Sequence, residues 1–152
     1  MHKAEPYATG VDCREDSCPI IGRPFTMLLT TTIADEILEL KQQRRAILLA
    51  HHYQASEIQE LADVVGDSLE LARKAREFSG DVIAFCGVWF MAETAKVLNP
   101  GRIVVVPDRE ASCSLVESCP VEPVREFRLR NPGHVIVSYI NTSIEVKAES
   151  DI

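Results

Sequence analysis

The chain has 152 residues, 46% apolar and 26% charged, with a net charge of −7, which suits one ordinary globular domain or one domain plus part of another. An acidic chain with no basic run longer than Arg44-Arg45 is not expected to bind nucleic acid, whose recognition rests on neutralised phosphates. It has no apolar stretch of the roughly 18 residues needed to span a bilayer and no apolar core in its first segment, so no membrane partner and a cytoplasmic location are expected.

Residues 1–31 carry Pro6, Gly10, Pro19, Gly22 and Pro24 with little periodicity and are expected to form a loosely ordered lead-in. They hold Cys13 and Cys18; with Cys86, Cys113 and Cys119 the cysteine count is odd and the spacings fit no paired zinc ligands. A disulfide framework is therefore not expected, and inert packing is the default for each thiol. Ile33, Ile37 and Leu40 recur at helical spacing through Gln43, and Ala46-Ile47-Leu48-Leu49-Ala50 then reads as a strand covered on both faces. Ser56 and Gln59 suggest a capping box opening a helix to about Val65, broken by Gly66. Asp67 or Ser68 caps the next helix, with Leu69, Ala72, Ala75 and Phe78 along one face.

Val82 to Cys86 reads as a second strand, and Gly87 turns it into a helix from about Trp89 to Leu98. After the Asn99-Pro100-Gly101 turn comes a third strand, Ile103 to Val106, then a looser segment carrying Cys113. Pro120 fits the first turn of a helix reaching about Arg130, His134 to Tyr139 reads as a fourth strand, and Thr142 with Glu145 suggests a capping box for a last helix. This alternation predicts an α/β fold: a parallel sheet with helices on both faces in three α/β/α layers. One complete domain is expected over residues 32–112, and the start of a second, truncated domain of the same type over residues 113–152.

Ligands of parallel α/β sheets bind beyond the carboxyl ends of the strands, where helix N-termini also present free N–H groups. His51, His52, Tyr53, Asp67, Ser68, Gly87, Cys113, Tyr139, Asn141 and Thr142 fall at those places, a set rich in neutral donors with one cysteine that suits a polyanionic small ligand or a metal centre. Each has a plainer reading. Ser68 can be an ordinary helix cap and Asn141 a turn residue. Tyr53 can be half buried with its hydroxyl satisfied, and adjacent histidines face opposite ways if the strand continues through them.

The order of motifs narrows these choices. Ala50-His51-His52-Tyr53-Gln54, Glu57-Ile58-Gln59, Ala62-Asp63 and Gly66-Asp67-Ser68-Leu69 resemble the opening signature of A-type quinolinate synthases. Phe85-Cys86-Gly87-Val88 with Phe90-Met91-Ala92-Glu93-Thr94-Ala95-Lys96 and Leu98-Asn99-Pro100 resembles the next block. Ser112-Cys113-Ser114-Leu115 with Cys119-Pro120 is similar to the segment carrying the first cluster cysteine, and Ser138-Tyr139-Ile140-Asn141-Thr142-Ser143 with Glu145-Val146-Lys147-Ala148 to a second-domain substrate loop. The resemblance covers about residues 45–151; residues 1–30 have none.

The resemblance implies a transferase-type step of NAD biosynthesis. Iminoaspartate condenses with dihydroxyacetone phosphate, phosphate and water leave, and quinolinate forms at a [4Fe-4S] cluster held by three cysteines. A functional link to L-aspartate oxidase is implied as well. Cys113 matches one cluster ligand, whereas Cys86 and Cys119 match no ligand position. His51 and Ser68 are implied to contact substrate carboxylate or phosphate, Tyr53 to transfer protons near the cluster with His51 also catalytic, and Tyr139 and Asn141 to bind substrate from the second domain. Trp89 departs from the polar residue common at its position. Because the other two cluster cysteines are not in the chain, it is expected to be inactive alone; the competing expectation is a non-catalytic α/β module that binds anions without a cluster.

Overall fold

Ala46–His51 forms β1, and its near-continuous apolar sequence reflects its place inside the sheet: Leu49 and Ala50 are fully buried, with neighbours on both sides. The computed structural model of the protein describes residues 32–152, so the lead-in expected at residues 1–31, with Cys13 and Cys18, lies outside the described residues. Helix α1, Ile33–Gln43, precedes β1. There follow α2 (Ser56–Leu61), β2 (Val64–Gly66), α3 (Ser68–Glu77), β3 (Val82–Cys86), α4 (Trp89–Leu98) and β4 (Ile103–Val105). The later elements are helical: α5 (Ser114–Glu117), α6 (Val121–Arg130) and α7 (Ile144–Ala148). The chain thus contains an α/β domain whose four described strands form one parallel sheet flanked by helices.

The strand order is β2-β1-β3-β4. From β1 the chain first steps to one side, into β2, and then crosses back over β1 to β3 and onward to β4. Right-handed crossovers put helices that travel in opposite directions on opposite faces. Accordingly α3 and α4 pack together on one face, while α2 packs with α1 against β1 on the other. Leu71, Ala75, Ile83, Phe85, Phe90, Met91 and Ala95 meet Leu49 in the core under α3 and α4. Beyond the described strands no helix is long and apolar enough to cross a membrane, among the described residues.

Three local expectations are corrected. The helix expected from Ser56 to about Val65 stops at Leu61, and Val64–Gly66 is a strand. Two β-branched valines favour the pleated surface beside β1, where Val64 pairs with Leu49 and Gly66 with His51. Asp63 fixes that register: its N–H donates to the Leu48 carbonyl at 2.8 Å, its carboxylate accepts from the Leu48 N–H at 2.7 Å, and it pairs with Lys41 at 2.9 Å. The first capping box does not form, since Ala55 is the cap residue and Gln59 donates instead to the carbonyls of His52 and Gln54. The second shifts by one residue, with Ser143 capping α7.

The third correction is the strand expected at His134 to Tyr139, which is an extended loop with Val135, Val137 and Tyr139 exposed. Apolar alternation cannot make a strand without a neighbour to take its backbone groups. Here only a short contact exists: the Ile136 carbonyl accepts from the Asp151 and Ile152 N–H groups, and the Ser138 N–H donates to Ile152.

Candidate active site

The strand order reverses at β1 and β3, whose carboxyl ends form the switch point at which open parallel sheets bind ligands. β1 ends there at His51, and β3 ends at Cys86, whose partner in the ladder is Ala50. Gly87 then turns the chain closely over the core, since a Cβ on it would meet Met91 Sδ at 3.1 Å and the Phe85 ring at 3.3 Å. The turn presents Val88 as the cap residue of α4.

His51 is 7% exposed. Burial is the first cause that holds its pKa below the usual histidine range; the neighbouring His52 acts in the same sense, and Asp67 opposes both. The expectation that the two histidines face opposite ways applies only to a continuing strand. The strand ends at His51 and the chain turns there, with the Gln54 N–H donating to the His51 carbonyl, so the two rings lie 4.2 Å apart. The Tyr53 N–H approaches His51 Nδ1 at 3.4 Å. That makes Nδ1 the acceptor and leaves the proton of the neutral ring on Nε2.

The Tyr53 ring stacks on His51 with centroids 3.7 Å apart. Although 54% of Tyr53 is exposed, its hydroxyl lies near the Val88 N–H and Cys113. Burial and Cys113 push the phenol pKa up, outweighing the opposite influence of the Val88 N–H. The group is therefore a protonated phenol at neutral pH, able to give a proton.

Asp67, not Ser68, caps α3, accepting from the N–H groups of Leu69 and Glu70 at 2.9 and 2.8 Å. Those bonds, the Glu70 N–H foremost, hold its carboxyl below the usual range. Ser68 is thereby released from capping and stands buried at the first position of the helix, two residues beyond Gly66, which pairs with His51. Asp67 was only an alternative cap in the sequence; its influence on His51 follows from β2, which brings the start of α3 alongside the end of β1.

Cys113 is the cap residue of α5 and is half buried against the core beside Val116 and Ala111. It lines a cavity of about 150 Å³ with Trp89, Phe90, Glu93, Ser112, Ser143 and Glu145. Trp89 walls this cavity: its indole N–H donates to Glu93 at 2.8 Å, and the Arg109 guanidinium lies 5.1 Å from its ring centre. Cys86 is half buried at the end of β3, and burial pushes its thiol up. Cys119 follows α5, its N–H bonded to the Val116 carbonyl. Among the described residues no three His, Cys, Asp or Glu side chains stand together to hold a metal, so these residues by themselves do not fit an iron–sulfur cluster. Cys113 is a single thiol on the wall of its cavity.

Tyr139 is 70% exposed and Asn141 half buried. Among the described residues neither shares a hydrogen bond or ring contact with His51, Tyr53, Ser68 or Cys113. Their loop nevertheless leads into Ser143 and Glu145, which reach the Cys113 cavity. The contribution of the Val88 N–H was not legible from residue type, because it is a backbone group placed by a turn.

The fold defines a parallel α/β protein whose strand order reverses beside β1, the place where open sheets of this class bind ligands. Residues 35–152 match the family model of the quinolinate synthetase A protein, and the chain belongs to that family. It is 54% identical to the quinolinate synthase of Prosthecochloris aestuarii over 122 residues, covering 80% of this chain and 38% of that protein. The corresponding enzyme of Dehalococcoides mccartyi strain 195 is 52% identical over 125 residues, 82% of this chain and 41% of the relative. That of Gloeothece citriformis is 48% identical over 130 residues, 86% and 40% of the two chains. The chain thus spans roughly two fifths of the length of these relatives.

Proposed function

We propose that the chain forms one wall of a quinolinate synthase active site, and that the complete enzyme condenses iminoaspartate with dihydroxyacetone phosphate, releasing phosphate and water to give quinolinate. The observation that carries this reading is the convergence of His51, Tyr53 and the Val88 N–H beside Cys113, at the switch point of the sheet. His51, neutral and with Nε2–H free, and Ser68 hold a carboxylate or the phosphate. Tyr53 gives or takes a proton at a substrate oxygen or nitrogen, its phenol kept protonated until needed. Tyr139 and Asn141 bind substrate from residues 113–152, the start of a second domain. An oxidase acting on L-aspartate supplies the iminoaspartate.

In the complete enzyme a [4Fe-4S] cluster held by Cys113 and further cysteines would supply an iron able to act as a Lewis acid. Cys113 is the ligand this chain offers, and we propose that the 152-residue chain holds no cluster unaided and makes no quinolinate alone. That single thiol equally favours a second reading, an anion-binding module without a cluster.

Binding is the direct test. Dihydroxyacetone phosphate titrated into the chain is expected to bind saturably, with His51→Ala and Ser68→Ala each weakening it about tenfold or more. Unaltered affinity in both variants would overturn the site. Iron and sulfide analysis after anaerobic reconstitution, followed by a quinolinate assay with both substrates, separates the two readings. Turnover by the chain alone, abolished by Cys113→Ala, would refute its dependence on further cysteines.

A further inference from the structure

Lys147 lies in α7 with its side chain half buried, an uncommon place for an ammonium group. Its Nζ donates to the Thr142 carbonyl and sits 5.3 Å from the centre of the Phe90 ring, on α4. Burial lowers its pKa and the Glu93 carboxylate, also on α4, works against that. Glu93 is in turn held by the Trp89 indole N–H at 2.8 Å. On the loop side, the Thr142 hydroxyl donates to the Tyr139 carbonyl at 2.9 Å, closing a local turn around Ile140 and Asn141. Ser143 next to it caps α7 by accepting from the Val146 N–H at 3.3 Å.

We infer that Lys147 is a positioning residue that fastens the loop bearing Tyr139 and Asn141 to α4, and so fixes the loop relative to the Cys113 cavity. The loop's own bonds, Thr142 to Tyr139 and Ser143 to Val146, are local and set its shape without attaching it to the sheet domain. Val146 is 2% exposed and docks α7 through apolar contact, which tolerates sliding. The ammonium adds direction: one hydrogen bond to the loop, and attraction to the face of Phe90 and to Glu93 on the other side. A neutral stem of the same length would keep the packing and lose the attachment.

Only the statement that Tyr139 and Asn141 meet substrate rests on the proposed function; the fastening itself is tested without turnover. Backbone amide exchange of the 152-residue chain, wild type against Lys147→Met and Lys147→Arg, reads it directly. Lys147→Met is expected to speed exchange about tenfold at Ser138 and Val146, whose N–H groups are bonded to the Ile152 carbonyl and the Ser143 hydroxyl at the two ends of the loop, while β1 and β3 keep their protection. Lys147→Arg is expected to restore most of that protection, because a guanidinium can also stack on Phe90 and donate to a carbonyl. Unchanged exchange in Lys147→Met, or no recovery in Lys147→Arg, would overturn the inference. So would faster exchange throughout β1 and β3 in Lys147→Met, which would make Lys147 a general support of the fold. Loss of substrate binding in His51→Ala leaves this result unaffected, so the two proposals fail separately.

Discussion

Tyr53 lies on the face of His51, ring centres 3.7 Å apart, at the point where β1 ends and the chain turns toward α2. The stack has two consequences. It excludes water from one face of the imidazole, and it directs the phenol toward Val88 and Cys113. Each ring therefore tunes the other's surroundings without a direct bond between their polar ends.

His51 is expected to titrate below the ordinary value of about 6.5, with the proton of the neutral ring on Nε2. Because the folded value is depressed, its contribution to stability is complete above about 6.5 and is lost as pH falls through the folded value. Stability therefore rises with pH across that window. Nitrogen-15 NMR titration of the ring reads both pKa and tautomer. Asp67→Asn, which keeps a capping side chain but removes the charge that opposes the shift, should move His51 lower still. A rise instead would show that Asp67 is not the carboxylate His51 feels.

Tyr53 should ionise above the ordinary tyrosine range, and Cys113→Ala should bring it partly back. Removing the sulfur takes away one of the two causes of the rise while the Val88 N–H still favours phenolate. The difference in ultraviolet titration between the chain and its Tyr53→Phe variant isolates this one phenol. An identical titration with and without Cys113 would place the two groups too far apart to share a site.

Gly80→Ala is expected to destabilise the domain by about 3 kcal/mol. A Cβ at that position would lie 2.2 Å from the Arg45 carbonyl oxygen, a backbone atom that also accepts from the Asp81 N–H at 3.0 Å. Neither side can yield easily, because Arg45 already sits at φ 47° on the way into β1. Urea unfolding followed by circular dichroism gives the number. A loss below about 0.5 kcal/mol, the range of ordinary surface substitutions, would show that this turn moves freely.

Acid should loosen the loop at Ile136 before it unfolds the sheet. Asp151 accepts from the Ile136 N–H at 2.9 Å and pairs with Arg128 at 3.0 Å, and these hold its carboxyl below the usual range. With a depressed folded value, the support it gives is present above the ordinary carboxylate range and disappears as pH falls through the folded value. Amide exchange at Ile136, corrected for its intrinsic pH dependence, should show this loss. Asp151→Asn should abolish it; an unchanged profile would mean that the carboxylate does not hold the loop.

The sequence by itself determined the class of fold and where most candidate residues sit along it. Ala46–His51 and Val82–Cys86 announce buried parallel strands through unbroken apolar runs, and α3 and α4 announce their inner faces through helical spacing. His51, Tyr53, Ser68 and Cys113 were legible because strand ends and helix starts are marked by local residue chemistry. The switch point was not, because Val64-Val65-Gly66 is too short for periodicity to distinguish from the end of a helix, and only pairing with β1 makes it a strand. The reverse error occurred at His134 to Tyr139, where strand-like alternation found almost no neighbour to pair with. Local pattern records which backbone groups prefer extension, whereas hydrogen bonding between distant segments decides which of them become a sheet. Tertiary structure alone could put the Val88 N–H at Tyr53, Asp67 within reach of His51, and Lys147 between Thr142 and Phe90, since each joins elements that the sequence leaves far apart or unordered.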